Sequence, residues 1–193
     1  MTKGTETKKL ILQAGVAMAS RYGLDGVSIG ELAKQTGMSK SGLFAHFGSK
    51  EKLLIAILEF AGEDFTLRVV VPALAEKAGQ ARFRMVAANW IRISSNMNGG
   101  CIFVTAGTDF NDRPGKVRDY LVDQQLQWLD SLNRMALSAI KAGDFRESID
   151  TRQFAYEFYS LLLGFHMYHT LLKTEDTADR QQTALDKLLE SYK

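Results

Sequence analysis

A single cysteine, Cys101, rules out a disulfide within the chain and suits a reducing compartment. Only two prolines, Pro72 and Pro114, occur in 193 residues, so long stretches carry no strong helix breaker. No segment alternates with period two for long, which argues against a sheet-based fold. No apolar run approaches the roughly 20 residues needed to span a bilayer. The nearest candidate, Phe158 to Met167, is too short and sits in an amphipathic stretch. No signal-peptide core opens the sequence. The expectation from these absences is a soluble, cytoplasmic, all-α protein.

Charge is nearly balanced at +2, but unevenly placed. Residues 1–55 hold eight Lys/Arg against four Asp/Glu, whereas the remainder holds 16 against 18. A basic N-terminal quarter on a mildly acidic body fits a polyanion partner at one end.

The helical pattern is continuous. In residues 5–22, Leu10, Ala14, Ala17, Met18 and Tyr22 recur at three- and four-residue spacing, and Gly23 is placed to stop the helix. Ser28 and Glu31 make a capping box that opens a second helix, with Ile29, Leu32 and Ala33 inward. Thr36-Gly37-Met38 is a turn, and Ser39 caps a third helix from Lys40 to Phe47. Its buried side is read as Leu43, Phe44 and Phe47; Lys40, Ser41, Gly42, Ala45 and His46 lie towards the open side or its margins. Gly48 ends it and Ser49 caps a fourth helix running toward Pro72. Further helices are expected at about 80–96, 101–110, 116–142, 152–173 and 178–192. Asn98-Gly99-Gly100 and Asn111-Asp112-Arg113-Pro114-Gly115 are breaks, and Asp150 with Gln153 is a second capping box.

Two short helices joined by a glycine turn, with small and polar groups left outward on the second, are what a helix-turn-helix reader of the DNA major groove requires. Gly37 can take the left-handed conformation such a tight turn needs. Lys40 can donate to guanine O6/N7 or to a phosphate, and His46 to either more weakly. Ala45 offers only an apolar contact, such as to a thymine methyl. Lys50 falls in the first turn of a helix, where free N–H groups already favour an anion.

The residues Tyr22-Gly23, Val27-Ser28, Glu31-Leu32-Ala33, Gly37-Met38-Ser39-Lys40, Leu43-Phe44, His46-Phe47 and Ser49-Lys50-Glu51-Lys52-Leu53-Leu54 resemble the DNA-binding domain of the tetracycline-repressor (TetR/AcrR) family. The resemblance covers about a quarter of the chain. It implies a homodimer, an effector pocket in the larger domain, and release from a DNA operator on binding a small molecule. It places Lys40, Ser41, Gly42, Ala45 and His46 against DNA and Ser28 and Lys50 against phosphates; Ser39 and Phe44 complete the candidate DNA-binding set. Phe44 stands where the family usually has Tyr, which removes a phenolic hydrogen bond to phosphate. Gly42 costs a short helix roughly 0.5–1 kcal/mol relative to Ala.

The domains expected are a helix-turn-helix domain over 1–50 and an effector-binding and dimerisation domain over 51–193. The larger part shows no catalytic constellation, so no enzyme and no cofactor is expected. His166 and His169, one turn apart, would need Asp109, Asp112 or Cys101 to hold a metal, and nothing in the sequence gathers them; no metal is expected. Cys101 reads as a buried small hydrophobe rather than a redox switch. The implied pocket is assigned Trp90, Phe103, Thr105, Asp109 and Trp128. The stretch 152–172 is too apolar all round for a surface helix of a monomer. Paired with the last helix, it is expected to form a four-helix bundle with its copy, through Phe158, Leu162, Phe165, His169, Leu185 and Leu188; the alternative is burial within one subunit. The function expected is a ligand-responsive, sequence-specific transcriptional regulator, a repressor in the first reading and an activator in the second. A non-specific architectural DNA-binding protein is a further alternative.

Overall fold

The computed structural model describes residues 3–96 and 100–193, so the expected break at Asn98 and Gly99 lies outside the described residues. The order is α1 (Lys3–Tyr22), α2 (Ile29–Gln35), α3 (Lys40–Phe47), α4 (Lys50–Phe65), a π-helical segment (Thr66–Val70), α5 (Val71–Leu74) and α6 (Gln80–Asn96). Then follow α7 (Ile102–Phe110), α8 (Lys116–Lys141), α9 (Thr151–Met167), a second π-helical segment (Tyr168–Leu172) and α10 (Thr177–Ser191). No strand occurs among the described residues. No helix among them is long and apolar enough to cross a membrane.

Packing divides the chain into two compact units, Met1–Phe65 with Met97–Val122, and Thr66–Asn96 with Asp123–Lys193. In the first, Ile11, Leu24, Val27, Leu32, Leu43, Leu53, Ile57 and Leu58 are essentially sealed from solvent. Each such side chain contributes roughly 1.5–3 kcal/mol on burial. Ile102 and Ala106 of α7 and Val117 and Leu121 of α8 join the same core. The N-terminal head is therefore not self-sufficient. Its core is completed by residues more than forty positions further along the chain.

The face of α1 differs from the expected one. Leu10 and Tyr22 are about three-fifths exposed and Ala17 is exposed, whereas Ile11, Gly15, Met18 and Ala19 are buried. Gly15 explains the phase. A Cβ there would lie 2.6 Å from Ile57 Cδ1, so α1 crosses α4 at a residue without a side chain.

The second unit is built on aromatic rings. Phe83 of α6 meets Phe154 and Phe158 of α9 edge-on at 4.6 and 5.1 Å, and Phe145 and Tyr192 meet Phe154 at 4.9 Å each. Such pairs add roughly 0.5–1.5 kcal/mol each beyond burial. Asp150 caps α9, accepting from the backbone N–H groups of Arg152 and Gln153 at 2.9 and 3.1 Å. Asp144 accepts from the Gln80 N–H at 2.6 Å and so caps α6. An Arg84–Asp186 ion pair ties α6 to α10. The first π-helical segment widens the backbone ladder, and the buried Asn89 side chain of α6 donates to its Val69 carbonyl at 3.5 Å.

Candidate DNA-reading site

The helix-turn-helix is assembled by caps. Ser28 Oγ accepts from the Glu31 N–H at 3.4 Å at the start of α2. The turn takes Gly37 through φ +67°, and the Met38 N–H returns to the Ala33 carbonyl at 2.8 Å. Thr36 Oγ1 donates to the Leu32 carbonyl at 2.8 Å, closing the C-terminus of α2. Ser39 then caps α3, its Oγ accepting from the Gly42 N–H at 3.0 Å. Gly48 ends α3 with its N–H on the Phe44 carbonyl at 2.7 Å, and Ser49 Oγ accepts from the Lys52 N–H at 3.1 Å to open α4. Three helix starts in 25 residues are thus fixed by serine hydroxyls. Each such cap is worth about 1 kcal/mol.

Leu43 and Phe47, four residues apart, pin α3 to the core. Lys40, Ser41, Ala45 and His46 are exposed, and Gly42 is half-buried. Phe44 departs from the expected buried side and is 48% exposed. It lies about 100° around the helix from Leu43, so the ring is carried out of the core and onto the exposed surface.

Ser28 and Lys40 are brought together around a residue that sequence reasoning passed over. A Cβ on Gly30 would lie 3.0 Å from Lys40 Cε, 3.3 Å from its Nζ and 3.8 Å from Ser28 Oγ. The lysine stem therefore crosses α2 where a side chain is missing. The available signal was a glycine early in a seven-residue helix, where it is otherwise unfavourable.

Lys50 is held from behind. Its Nζ donates to the Asp25 carbonyl at 3.0 Å. The Asp25 carboxylate in turn pairs with Arg113 Nη1 at 2.8 Å, and the Arg113 guanidinium beside it holds its carboxyl below the usual carboxylate range. Asp109 at the end of α7 accepts from the Leu24 N–H at 3.0 Å. Gly23 sits at φ +78°, and a Cβ there would meet Asp109 Oδ2 at 2.6 Å, so the helix stop also opens the way for that carboxylate.

The candidate pocket residues fall in both units. In the first, Phe103 meets Phe65 edge-on at 6.4 Å, Thr105 Oγ1 donates to the Ile102 carbonyl at 3.1 Å, and Asp109 serves Leu24. In the second, Trp90 is buried and meets Phe165 edge-on at 6.3 Å, and Trp128 meets Tyr159 edge-on at 6.4 Å. Tyr159 OH donates to Gln125 Oε1 at 2.7 Å.

Of the candidate dimer residues, Phe158, Leu162, Phe165 and Leu185 are buried in the second unit's own core. His169 and Leu188 are half-buried, His169 stacking on Phe165 at 5.2 Å. The outward stripe of α9 is instead Tyr156, Leu163 and Met167, continued by Leu171 in the following π-helical segment, all exposed. Sequence periodicity alone could not separate these faces, because the helix is apolar on both.

Among the described residues no three of His, Cys, Asp or Glu gather to hold a metal. His166 is buried, and that burial, followed by the neighbouring His169, pushes its pKa down. Cys101 is buried, and burial pushes its thiol up, away from the reactive thiolate.

Residues 11–57 match the family described as bacterial regulatory proteins, tetR family, and residues 79–185 match the tetracyclin repressor-like C-terminal domain. The chain belongs to the TetR family. Nucleoid occlusion factor SlmA of Vibrio campbellii is 31% identical over 119 residues, 61% of this chain and 60% of that protein, so the chain spans 60% of that curated relative's length. The TetR-family transcriptional regulator of Cytophaga hutchinsonii shares the fold, with a TM-score of 0.89 at 19% identity over 100% of this chain and 98% of that one. The regulator FadR of Bacillus subtilis, solved in complex with stearoyl-CoA, has a TM-score of 0.78 at 15% identity over 94% of this chain and 97% of that one.

For a TetR-family DNA-binding transcription regulator the chemistry of this site is coherent. An exposed helix with Lys40, two hydroxyls and His46 offers donors to base edges and phosphates. The caps hold it rigid without covering it.

Proposed function

We propose that this TetR-family regulator is a cytoplasmic homodimeric repressor that leaves its operator when a small-molecule effector binds. The observation that carries the DNA-reading part is α3 itself. It is capped at its start by Ser39, pinned by Leu43 and Phe47, and it presents Lys40, Ser41, Phe44, Ala45 and His46 outward. Lys40 and His46 read base edges or phosphates, and Ser41 adds a short hydroxyl contact. Ala45 and Phe44 give apolar contacts, and Gly42 lets the backbone approach. Ser28 and Lys50 meet phosphates on either side, and Ser39 holds the helix start.

Dimerisation is assigned to the outer face of α9. Tyr156, Leu163 and Met167 pair with the same residues of a second copy, with His169 and Leu188 at the margins. Two heads about one DNA turn apart, roughly 34–36 Å, then enter successive major grooves. An effector that prefers another head spacing draws the dimer off the operator by population shift. Trp90 and Trp128 are the aromatic side chains assigned to it. The stearoyl-CoA held by FadR makes fatty acyl thioesters the first class to test.

The test is fluorescence anisotropy on a duplex from upstream of the protein's own gene, against a scrambled duplex, across several salt concentrations. The expected result is sequence-dependent binding whose log K falls by about 0.9 per phosphate neutralised, and its loss on adding the correct acyl thioester. Equal binding to both duplexes would contradict specific repression.

The likeness to nucleoid occlusion factors favours a second reading, a DNA-bound protein acting in nucleoid occlusion without effector release. Mapping bound sites across the genome separates the two. A few promoter sites support the repressor, whereas sites spread over the whole chromosome support occlusion.

A further inference from the structure

The exposed edge where Lys50 projects also carries an acidic side chain, Asp25, whose carbonyl holds the Lys50 ammonium. A carboxylate so placed works against phosphate binding over the Debye length of about 8 Å at physiological salt. Arg113 meets it. Its Nη1 lies 2.8 Å from Asp25 Oδ2, and its guanidinium is braced over the Phe110 ring at 5.6 Å. Lys50 is itself close enough to act on the same carboxyl. The turn does not depend on Arg113 for its shape, because Asp109 already holds the Leu24 N–H and Gly23 admits that contact. The pair is half exposed, so its contribution to stability is small.

We infer that Arg113 is a positioning residue for operator binding: paired with Asp25, it cancels that carboxylate beside Lys50 and leaves the remaining donors of the lysine to a phosphate. The inference rests on the reading that Lys50 meets DNA phosphate. It gives the segment after α7 a direct electrostatic part in a site that the helix-turn-helix motif does not contain.

The experiment measures operator affinity at several salt concentrations for the full chain and for Arg113→Ala, Asp25→Asn, the double variant and Lys50→Ala, with melting temperature beside each. Arg113→Ala is expected to weaken binding about five- to tenfold near 0.1 M salt, with the deficit shrinking as salt rises. Asp25→Asn, which keeps the carbonyl that holds Lys50, is expected to bind somewhat tighter. The double variant is expected within about twofold of the unaltered protein, because the charge to be cancelled is gone. A double variant as weak as Arg113→Ala overturns the inference, since Arg113 would then touch DNA itself or merely brace the fold. Unaltered binding by Arg113→Ala, with Lys50→Ala weakened, overturns the inference alone. Unaltered binding by Lys50→Ala overturns the phosphate-edge reading and the inference with it.

Discussion

Helices α3 and α9 both turn a face outward, and they are built by opposite rules. α3 is eight residues long, anchored by two side chains, and fixed at its start by a serine hydroxyl and at its end by a glycine N–H. Its outer face is mostly small or polar. α9 is seventeen residues long, packs Phe154, Phe158, Leu162 and Phe165 inward, and is apolar outward as well. The difference fits the partners proposed for the two faces, DNA for α3 and a second copy for α9. A helix that exchanges water for DNA keeps a wettable surface and takes its rigidity from caps, whereas one with apolar residues on both sides needs a second partner.

The largest loss is expected from inside α9. Phe154→Ala removes the ring at the centre of the aromatic cluster and is expected to cost about 3–5 kcal/mol by chemical denaturation. From outside, Leu163→Arg is expected to leave the fold intact while converting the proposed dimer to monomer in sedimentation at micromolar concentration, since an unpaired charge in such a buried interface costs several kcal/mol. On α3, Lys40→Ala is expected to weaken operator binding roughly tenfold, with little change in melting temperature. Ser39→Ala tests the rigidity argument. It is expected to cost about 1 kcal/mol of stability and to lower operator affinity with it, although the hydroxyl is already engaged by the Gly42 N–H.

The smallest effect is expected from pH. Burial and His169 hold His166 below its ordinary range, so the unfolded chain takes up a proton at a higher pH than the folded one. Stability should be full above pH about 6.5 and decline as pH falls through the folded value. His166→Gln should flatten that decline, as read from denaturation midpoints between pH 7.5 and 5.5 at about 25 °C.

Much of this was legible in the chain itself. Ser28, Ser39, Ser49 and Asp150 announce helix starts because a cap is a local event, settled within three residues. The helix over 80–96 is also recovered at both ends, although its start is capped by Asp144, 64 positions away. The phase of α1 was not legible, because Ala and Gly sit on several of its faces and only the crossing at Ile57 selects one. Phe44 misled because an aromatic residue next to a core leucine reads as core, while the helical angle carries it outward. The two π-helical segments leave no pattern that separates them from continued α-helix. In the site, Lys40 and Ser28 were visible as residue types, but their meeting over Gly30 was not. The Asp109–Leu24 bond joins positions 85 apart, and no local signal carries across that distance.

The most direct measurement is selection of bound sequences from a random duplex pool by the unaltered protein. The expected result is enrichment of a two-fold symmetric site whose halves are centred about one helical turn, roughly 10–10.5 base pairs, apart, and loss of that enrichment with Lys40→Ala. A pool that emerges unenriched, or enriched equally by Lys40→Ala, would contradict the claim that α3 reads DNA sequence.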